Sequence, residues 1–459
     1  MNEPRCIVIV GGGFAGTTLA RALERTLPSA YHVTLISEES YTTFNPMLAE
    51  VVGASVFPEH VVAPIRQMLR QSRFVMARVN EVDLARRTLS ADTLAGRQQI
   101  AYDQLVFAFG TRARLDLLPG LAEHALPLKL VGDAMHIRNR VLQRVAHIEL
   151  ESDPVLRRSL GHFIVIGGGF SGVEVAGELG DFLTSALRYY PRVRADELKV
   201  TLLHDAERLL PELPASLGHA AAHSLRARRI DVRLNARAIR VDAEGVLLAG
   251  GERISGATVV CTIGTQPNPL VERLGLALQR GRIVTAPDLS VAGARGVWAI
   301  GDCALVANHA PQRSASAADA GQPAAPPAAF CPPTAQFAVA QAKTLARNLV
   351  AQIADAPTRP FSHVSRGMMA TTGHLKGVAQ IGALRLSGLP AWLLWRGYYL
   401  LRMPTLGRKV RIWVEWTWGM FFAADITHLR FTRTDEIDRD GPSPALHAVT
   451  PLTPLPHHP

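Results

Sequence analysis

The sequence predicts an α/β fold in which one strand–helix–strand unit is written twice, with a smaller α+β region behind it. Three observations carry this reading. Cys6-Ile7-Val8-Ile9-Val10-Gly11-Gly12-Gly13-Phe14-Ala15-Gly16 recurs as His162-Phe163-Ile164-Val165-Ile166-Gly167-Gly168-Gly169-Phe170-Ser171-Gly172. Each copy is a β-branched run, a G-x-G-x-x-G turn and an Ala/Leu-rich helical stretch, over residues 17–27 and 173–187. Each is followed by a further strand pattern, at residues 33–36 and 200–203, which closes a βαβ unit. Two Rossmann-like dinucleotide-binding domains are expected.

The chemistry of the repeated turn is specific. Its first glycine allows the tight turn, the second lets the backbone approach a pyrophosphate, and the third lets helix and strand pack closely. The helix N-terminus then offers free N–H groups and the positive end of its dipole. The candidate phosphate-binding residues are Gly11, Gly13, Phe14, Ala15 and Gly16, then Gly167, Gly169, Phe170, Ser171 and Gly172. An acid ending the second strand would bind a ribose hydroxyl, and Glu38 fills that place in the first unit. In the second unit the place falls to His204, with Asp205 next to it. A missing acid admits the extra phosphate of NADP, whereas Asp205 can serve instead.

Other blocks punctuate the chain. Residues 102–111 read as a buried strand ending in the small-residue turn Ala108-Phe109-Gly110-Thr111, and residues 257–265, ending in Gly264-Thr265, echo it. Gly296-Val297-Trp298-Ala299-Ile300-Gly301-Asp302 is another strand, closed by Gly-Asp. Residues 309–333 are Ala/Pro/Ser-rich and expected to be a flexible insertion, and residues 438–459 a disordered tail. His457-His458 reads as tail composition, and no metal site is expected. The division expected is 1–117 and 291–355 for the first dinucleotide domain, 118–290 for the second and 361–437 for the α+β region.

Composition excludes several classes. The chain has 459 residues, 48% of them hydrophobic and 19% charged, which fits about three globular domains and not a disordered chain. Four separated cysteines make neither a disulfide scaffold nor a zinc knuckle. A strand pattern starting at Cys6 leaves no room for a signal peptide, and no window reaches the ~18 apolar residues of a spanning helix. Neither a secreted protein nor an integral transporter is expected. The net charge of +10 asks for an acidic partner. Residues 361–437 hold ten Lys/Arg against four acids, together with five of the six tryptophans. That mixture suits an anionic membrane surface before nucleic acid. Within it Arg402, Arg408, Lys409 and Arg411 separate two apolar-aromatic stretches, which are expected to form a hairpin lying in the interface.

In this order the blocks resemble the two-dinucleotide flavoproteins of disulfide-reductase type, over about residues 5–435. The resemblance implies FAD on the first fingerprint, with Ala108, Gly110 and Thr111 along it and Gly301-Asp302 at its ribityl chain. It implies NAD(P)H, NADH favoured, on the second fingerprint, and places Gly264 in the cofactor-binding set. Disulfide reductases need a redox cysteine pair after the first unit; this chain has Tyr41-Thr42-Thr43-Phe44-Asn45-Pro46-Met47-Leu48 there, with no sulfur nucleophile.

That loop, with Asn45 and Pro46, is similar to type II NADH dehydrogenases, the single-subunit, non-pumping NADH:quinone oxidoreductases. Gly172-Val173-Glu174-Val175-Ala176-Gly177-Glu178-Leu179, Pro332-Pro333-Thr334-Ala335-Gln336-Phe337-Ala338, Gly373-His374-Leu375-Lys376-Gly377 and Leu389-Pro390-Ala391-Trp392 resemble the same family. The resemblance implies hydride transfer from NAD(P)H to flavin, then two electrons to a quinone docked near Ala335 and Gln336. Glu174 would help position nicotinamide or deliver a proton, Gln336 would hydrogen-bond the quinone carbonyl, and Lys376 would bring positive charge to the flavin. The expected partners are quinone and an anionic membrane surface, with a homodimer as a candidate and no nucleic acid. The expected location is peripheral, on the cytoplasmic face of the inner membrane.

Two departures stand out. The family pattern A-Q-x-A-x-Q has Ala340 at its second glutamine, and Gln341, one residue on, is expected to point away from the site. His204 is the other departure. Three alternatives stay open: a sulfide:quinone oxidoreductase, for which Cys303 and Cys331 are the available pair, a reductase of a small redox protein, and a redox-sensing flavoprotein.

Overall fold

The computed structural model describes residues 5–310 and 330–429. Most of the expected insertion and the whole expected tail lie outside the described residues.

Strand β1 (Arg5–Val10) is Ile/Val-rich, and Ile7, Val8 and Ile9 are fully buried, because both faces of the parallel sheet are covered. Helix α1 (Phe14–Leu23) leads to β2 (Tyr31–Ser37), which pairs parallel with β1 in register Ile7↔Val33. The helix begins three residues before the Ala/Leu-rich pattern. Gly13 is its N-cap, so the last x-x-G of the fingerprint is already its first turn. Helix α2 (Leu48–Val52) follows, then β3 (Arg73–Asp83) and the antiparallel β4 (Thr88–Thr93) and β5 (Gly96–Ala101). Strand β6 (Gln104–Phe107) returns to the other side of β1.

The second unit is a five-stranded parallel sheet. Its strands are β7 (Ala125–Pro127), β8 (His162–Ile166), β9 (Lys199–Leu203), β10 (Asp231–Arg233) and β11 (Thr258–Cys261), in the order β7-β11-β8-β9-β10. Helices α3 (Val131–Leu150), α4 (Phe170–Ala186) and α5 (Ala215–Ala227) accompany it. The α4 helix again starts inside the fingerprint, on Gly169.

The chain then rejoins the first sheet through β12 (Val297–Ala299), giving seven strands in the order β12-β6-β1-β2-β3-β4-β5. Helix α6 (Ala335–Ile353) packs on α1. In both sheets the fingerprint strand has a parallel neighbour on each side, and the crevice beyond its carboxyl end is where an α/β sheet takes ligand.

An antiparallel meander follows: β13 (Met368–Thr371), β14 (Gly377–Ile381) and β15 (Leu384–Ser387). Helices α7 (Leu389–Arg402) and α8 (Leu406–Trp418) come next, and the described chain runs on to residue 429. One side of α8 buries Ile412 and Trp416. The other exposes Leu406, Val410, Trp413, Val414 and Trp418, an i, i+4, i+7, i+8 stripe. Among the described residues no helix is long and apolar enough to cross a membrane. One hydrophobic core joins α2, α4 and the aromatic side of α7 and α8, so three parts of the sequence meet at a single buried junction.

Candidate active site

The first fingerprint is tightly determined by its own backbone. Gly11 has φ +123°, and a Cβ there would lie 2.6 Å from the Ala108 backbone. A Cβ on Gly16 would collide with the carbonyl oxygen of Gly11. Gly13 differs, since a Cβ there would meet nothing within 4 Å. That gap is an open cradle at the N-terminus of α1. The Thr42 hydroxyl donates to the Gly12 carbonyl at 2.6 Å and ties the chain entering Phe44, Asn45 and Pro46 to the loop.

The later blocks converge here. Gly301 has φ +76°, and its Cβ would sit 3.2 Å from that of Ala15, while a Cβ on Gly110 would lie 4.0 Å from a carboxylate oxygen of Asp302. An open helix N-terminus, with the small residues Ala15, Gly110 and Gly301 and the Asp302 carboxylate close by, suits the pyrophosphate and ribityl hydroxyls of FAD. Thr111 begins a short strand that pairs with Thr265–Pro267, next to Gly264. Ala335 opens α6. Glu38 stands at the end of β2, ion-paired with Arg78 at 3.1 Å and Arg112 at 3.2 Å, partners that a ribose would have to share.

Gln341 leaves the face that carries Gln336, in line with its spacing: it is 2% exposed, and its side-chain oxygen accepts the Gly301 N–H at 2.7 Å. Helix α6 buries Phe337, Ala338, Gln341 and Ala342 on one stripe, and that stripe faces the Gly301–Asp302 turn. The one-residue shift that removes Gln341 from the face of Gln336 puts it on the buried one.

The second fingerprint repeats the first. Gly167 has φ +117°, and a Cβ there would lie 2.6 Å from the Thr262 hydroxyl. A Cβ on Gly172 would strike the Gly167 carbonyl, and one on Gly169 would again meet nothing within 4 Å. Phe170 and Ser171 open α4. His204 folds back on the loop, its Nδ1 accepting the Gly168 N–H at 3.2 Å, whereas Asp205 is exposed. The loop therefore presents Asp205, not His204, to solvent.

The three catalytic candidates are not brought together. Glu174 is buried on α4 and accepts hydrogen bonds from the Thr371 N–H and the Trp395 indole, each at 3.2 Å. Burial, with Glu50 and Glu178 nearby, pushes its carboxyl up to about 8. Gln336 lies on the first turn of α6, its amide nitrogen 3.2 Å from His363 Nε2. Lys376 is exposed in the turn before β14.

Around Glu174 lies a cluster that sequence reading missed. Glu50 on α2 is 2% exposed and Glu178 on α4 is 6% exposed. The Ser55 hydroxyl donates to Glu178 at 2.8 Å, and the Trp416 indole donates to Glu50 at 3.1 Å. Arg396 approaches Glu50 at 3.8 Å and lies between the rings of Trp392 and Trp416, at 3.8 and 4.7 Å from their centroids. Burial raises both carboxyls as well. Edge-on rings join this cluster to the first fingerprint: Phe14–Phe44 at 5.5 Å, Phe44–Tyr399 at 5.8 Å and Tyr399–Trp395 at 4.7 Å. Lone acids inside apolar runs, Glu50 in Met47–Val52 and Glu174 with Glu178 in α4, were the signal available.

The cysteines show no thiol site. Cys303 and Cys331 are free and buried. Desolvation pushes the Cys331 thiol up to about 11 and the Cys303 thiol higher still, the reverse of what a nucleophile needs.

Known proteins match this arrangement. The family model described as pyridine nucleotide-disulphide oxidoreductase matches residues 5–340. The type II NADH:quinone oxidoreductase Ndh of Mycobacterium tuberculosis is 29% identical over 427 residues, covering 90% of this chain and 87% of its own. The internal alternative NAD(P)H-ubiquinone oxidoreductase A1, mitochondrial, of Solanum tuberosum is 27% identical over 463 residues, covering 93% and 88%. The structure of NDH2 from Plasmodium falciparum in complex with NADH superposes with a TM-score of 0.81 at 18% identity, over 92% of this chain and all of that one, a likeness of fold.

Proposed function

The chain belongs to the pyridine nucleotide-disulphide oxidoreductase family, and on that premise we propose that it is an FAD-dependent NADH:quinone oxidoreductase working at a membrane surface. One observation carries the reading: the likeness to relatives named NADH:quinone oxidoreductases runs through about nine-tenths of the chain, well past the two dinucleotide units. The absence of a thiol at the Phe44–Pro46 loop, and the raised thiols of Cys303 and Cys331, leave nothing to support a disulfide or sulfide reaction.

FAD, when bound, supplies the centre that takes hydride from NADH and returns two electrons to the acceptor. The residues then have separate tasks. Gly11, Gly13 and Gly16 would shape the loop for its pyrophosphate, and Gln341 fixes the Gly301–Asp302 turn that would meet its ribityl chain. Gly167, Gly169 and Gly172 do the same for the nicotinamide dinucleotide, with Asp205 available to a ribose hydroxyl. Gln336 offers a polar contact to the quinone. Glu174 holds a proton near neutral pH, as quinone reduction requires.

The exposed stripe of α8 and the exposed Leu393, Leu401 and Phe421 are the side chains we assign to lipid, with Arg402 and Arg411 exposed for anionic headgroups. The binding would be peripheral, on the cytoplasmic face of the inner membrane, and a homodimer is compatible with it. Turnover of NADH with a short-chain quinone tests the proposal. Anionic vesicles should bind the protein, and Trp413→Ser with Leu406→Ser should weaken that binding at least about tenfold while leaving the flavin in place. Absence of quinone-dependent NADH oxidation would reject the reading.

A further inference from the structure

The segment between α6 and the meander holds one residue more firmly than a connector requires. Both main-chain groups of His363 are clamped by the amide of Asn308: Asn308 Nδ2 donates to the His363 carbonyl at 2.9 Å, and the His363 N–H donates to Asn308 Oδ1 at 3.0 Å. Its ring meets Phe337 edge-on at 5.2 Å and is tilted by 35° to Phe361, with ring centres 6.5 Å apart. The ring so fixed ends on Gln336, whose amide nitrogen lies 3.2 Å from His363 Nε2 and 3.4 Å from the Ser365 hydroxyl.

We propose that His363 is a positioning residue for the electron acceptor: with Ser365 it fixes the amide of Gln336, and its protonation state decides whether Gln336 offers the quinone an N–H or a carbonyl oxygen. The proposal rests on the quinone reading above. A primary amide has two N–H donors and one acceptor oxygen. With both donors spent on the His363 lone pair and Ser365, Gln336 has only its oxygen left. That arrangement requires a neutral imidazole with its proton on Nδ1. An imidazolium carries a proton on Nε2, so it turns the amide over: the oxygen takes the ring N–H, and the amide N–H groups face outward. A quinone oxygen only accepts hydrogen bonds, whereas a quinol hydroxyl also donates. The acid form therefore suits the substrate and the neutral form suits the product.

The groups around the ring set where the exchange occurs. Of the charged residues on its own loop, Arg366 is the one that acts on the ring, and His309 donates its main-chain N–H to the Phe361 carbonyl. The α6 side contributes Gln336 and Phe337, which carry no charge, and the chain before the insertion contributes Asn308. Burial first, then Arg366, holds the imidazolium below its usual range, so the exchange falls on the acid side of about 6.5.

The test is binding of a short-chain benzoquinone to the oxidised, FAD-loaded full chain, read from the perturbed flavin spectrum between pH 5 and 8. The dissociation constant should rise about five- to tenfold as pH increases, the worth of one hydrogen bond. His363→Asn, which cannot titrate, should give a flat profile, and so should Gln336→Leu, which keeps the test decisive if the His363 variant loses its flavin. A flat wild-type profile, or His363→Asn retaining the wild-type slope, would overturn the proposal and leave the quinone reading intact. No spectral perturbation, and no reoxidation of NADH-bleached flavin by quinone at any pH, would remove both.

Discussion

Gly13 and Gly169 are glycines that the chain itself does not require. Their φ angles are −79° and −77°, ordinary for any residue, and a Cβ at either meets no atom within 4 Å. What forbids a side chain there lies outside the polypeptide, which is how a phosphate-approach position looks without its ligand. Gly13→Ala should fold with a stability change within about 0.5 kcal/mol in the flavin-free form, yet carry several-fold less FAD, read from the ratio of visible to ultraviolet absorbance. Gly169→Ala should keep its flavin and raise the KM for NADH about tenfold or more. Gly16→Ala and Gly172→Ala are the contrast: each drives a Cβ into a carbonyl oxygen and should cost about 1–3 kcal/mol whether or not ligand is present. Unchanged FAD content in Gly13→Ala would contradict the assignment of the first fingerprint.

Helix α4 serves two purposes along one length. Its first turn is the end of the second fingerprint, and Glu174 and Glu178, one helical turn apart, face α2 and the C-terminal hairpin. Three carboxylates share this junction with a single arginine, so the folded protein holds protons that the unfolded chain releases. The sign of the linkage follows. Between the usual carboxylate range near 4.5 and the folded value of about 8 for Glu174, the native state binds more protons than the unfolded state, and stability falls as pH rises. Surface pairs such as Arg253–Asp242 lower their carboxylates and act only in acid below about 4, and His162, His363 and His374, held below their usual range by burial, act in the opposite sense on the acid side of about 6.5, which leaves the raised carboxyls to dominate above it. The melting temperature should therefore decline from about pH 6.5 to pH 8. The double variant Glu174→Gln, Glu178→Gln should flatten the decline, by about 1 °C for each kcal/mol relieved in a chain of this length. A wild-type melting temperature that rises across this window would contradict the account.

At the scale of the whole molecule, what the sequence made legible is what short-range physics determines. The two fingerprints, their flanking strands and the α/β class could be read because glycine turns and β-branched runs are local, and the hairpin of α7 and α8 was legible in its interleaved Trp and Arg. What could not be read is what distant segments complete. The partners of Glu50 lie at Arg396 and Trp416, and nothing near Met47–Val52 announces them. His363 became visible only beside Gln336, 27 positions away, and the Gly301 partner of Gln341 could not be foreseen because helical spacing gives an angle but not the neighbour that meets it. The central claim is that the two dinucleotide sites and the Gln336 region form one electron path from NADH to quinone. Its most direct test is anaerobic rapid mixing of the FAD-loaded protein with one equivalent of NADH, followed by a short-chain quinone. The account expects the flavin absorbance to bleach and then to recover fully on adding quinone, both within turnover time. Bleaching by NADH with no recovery by quinone would contradict it.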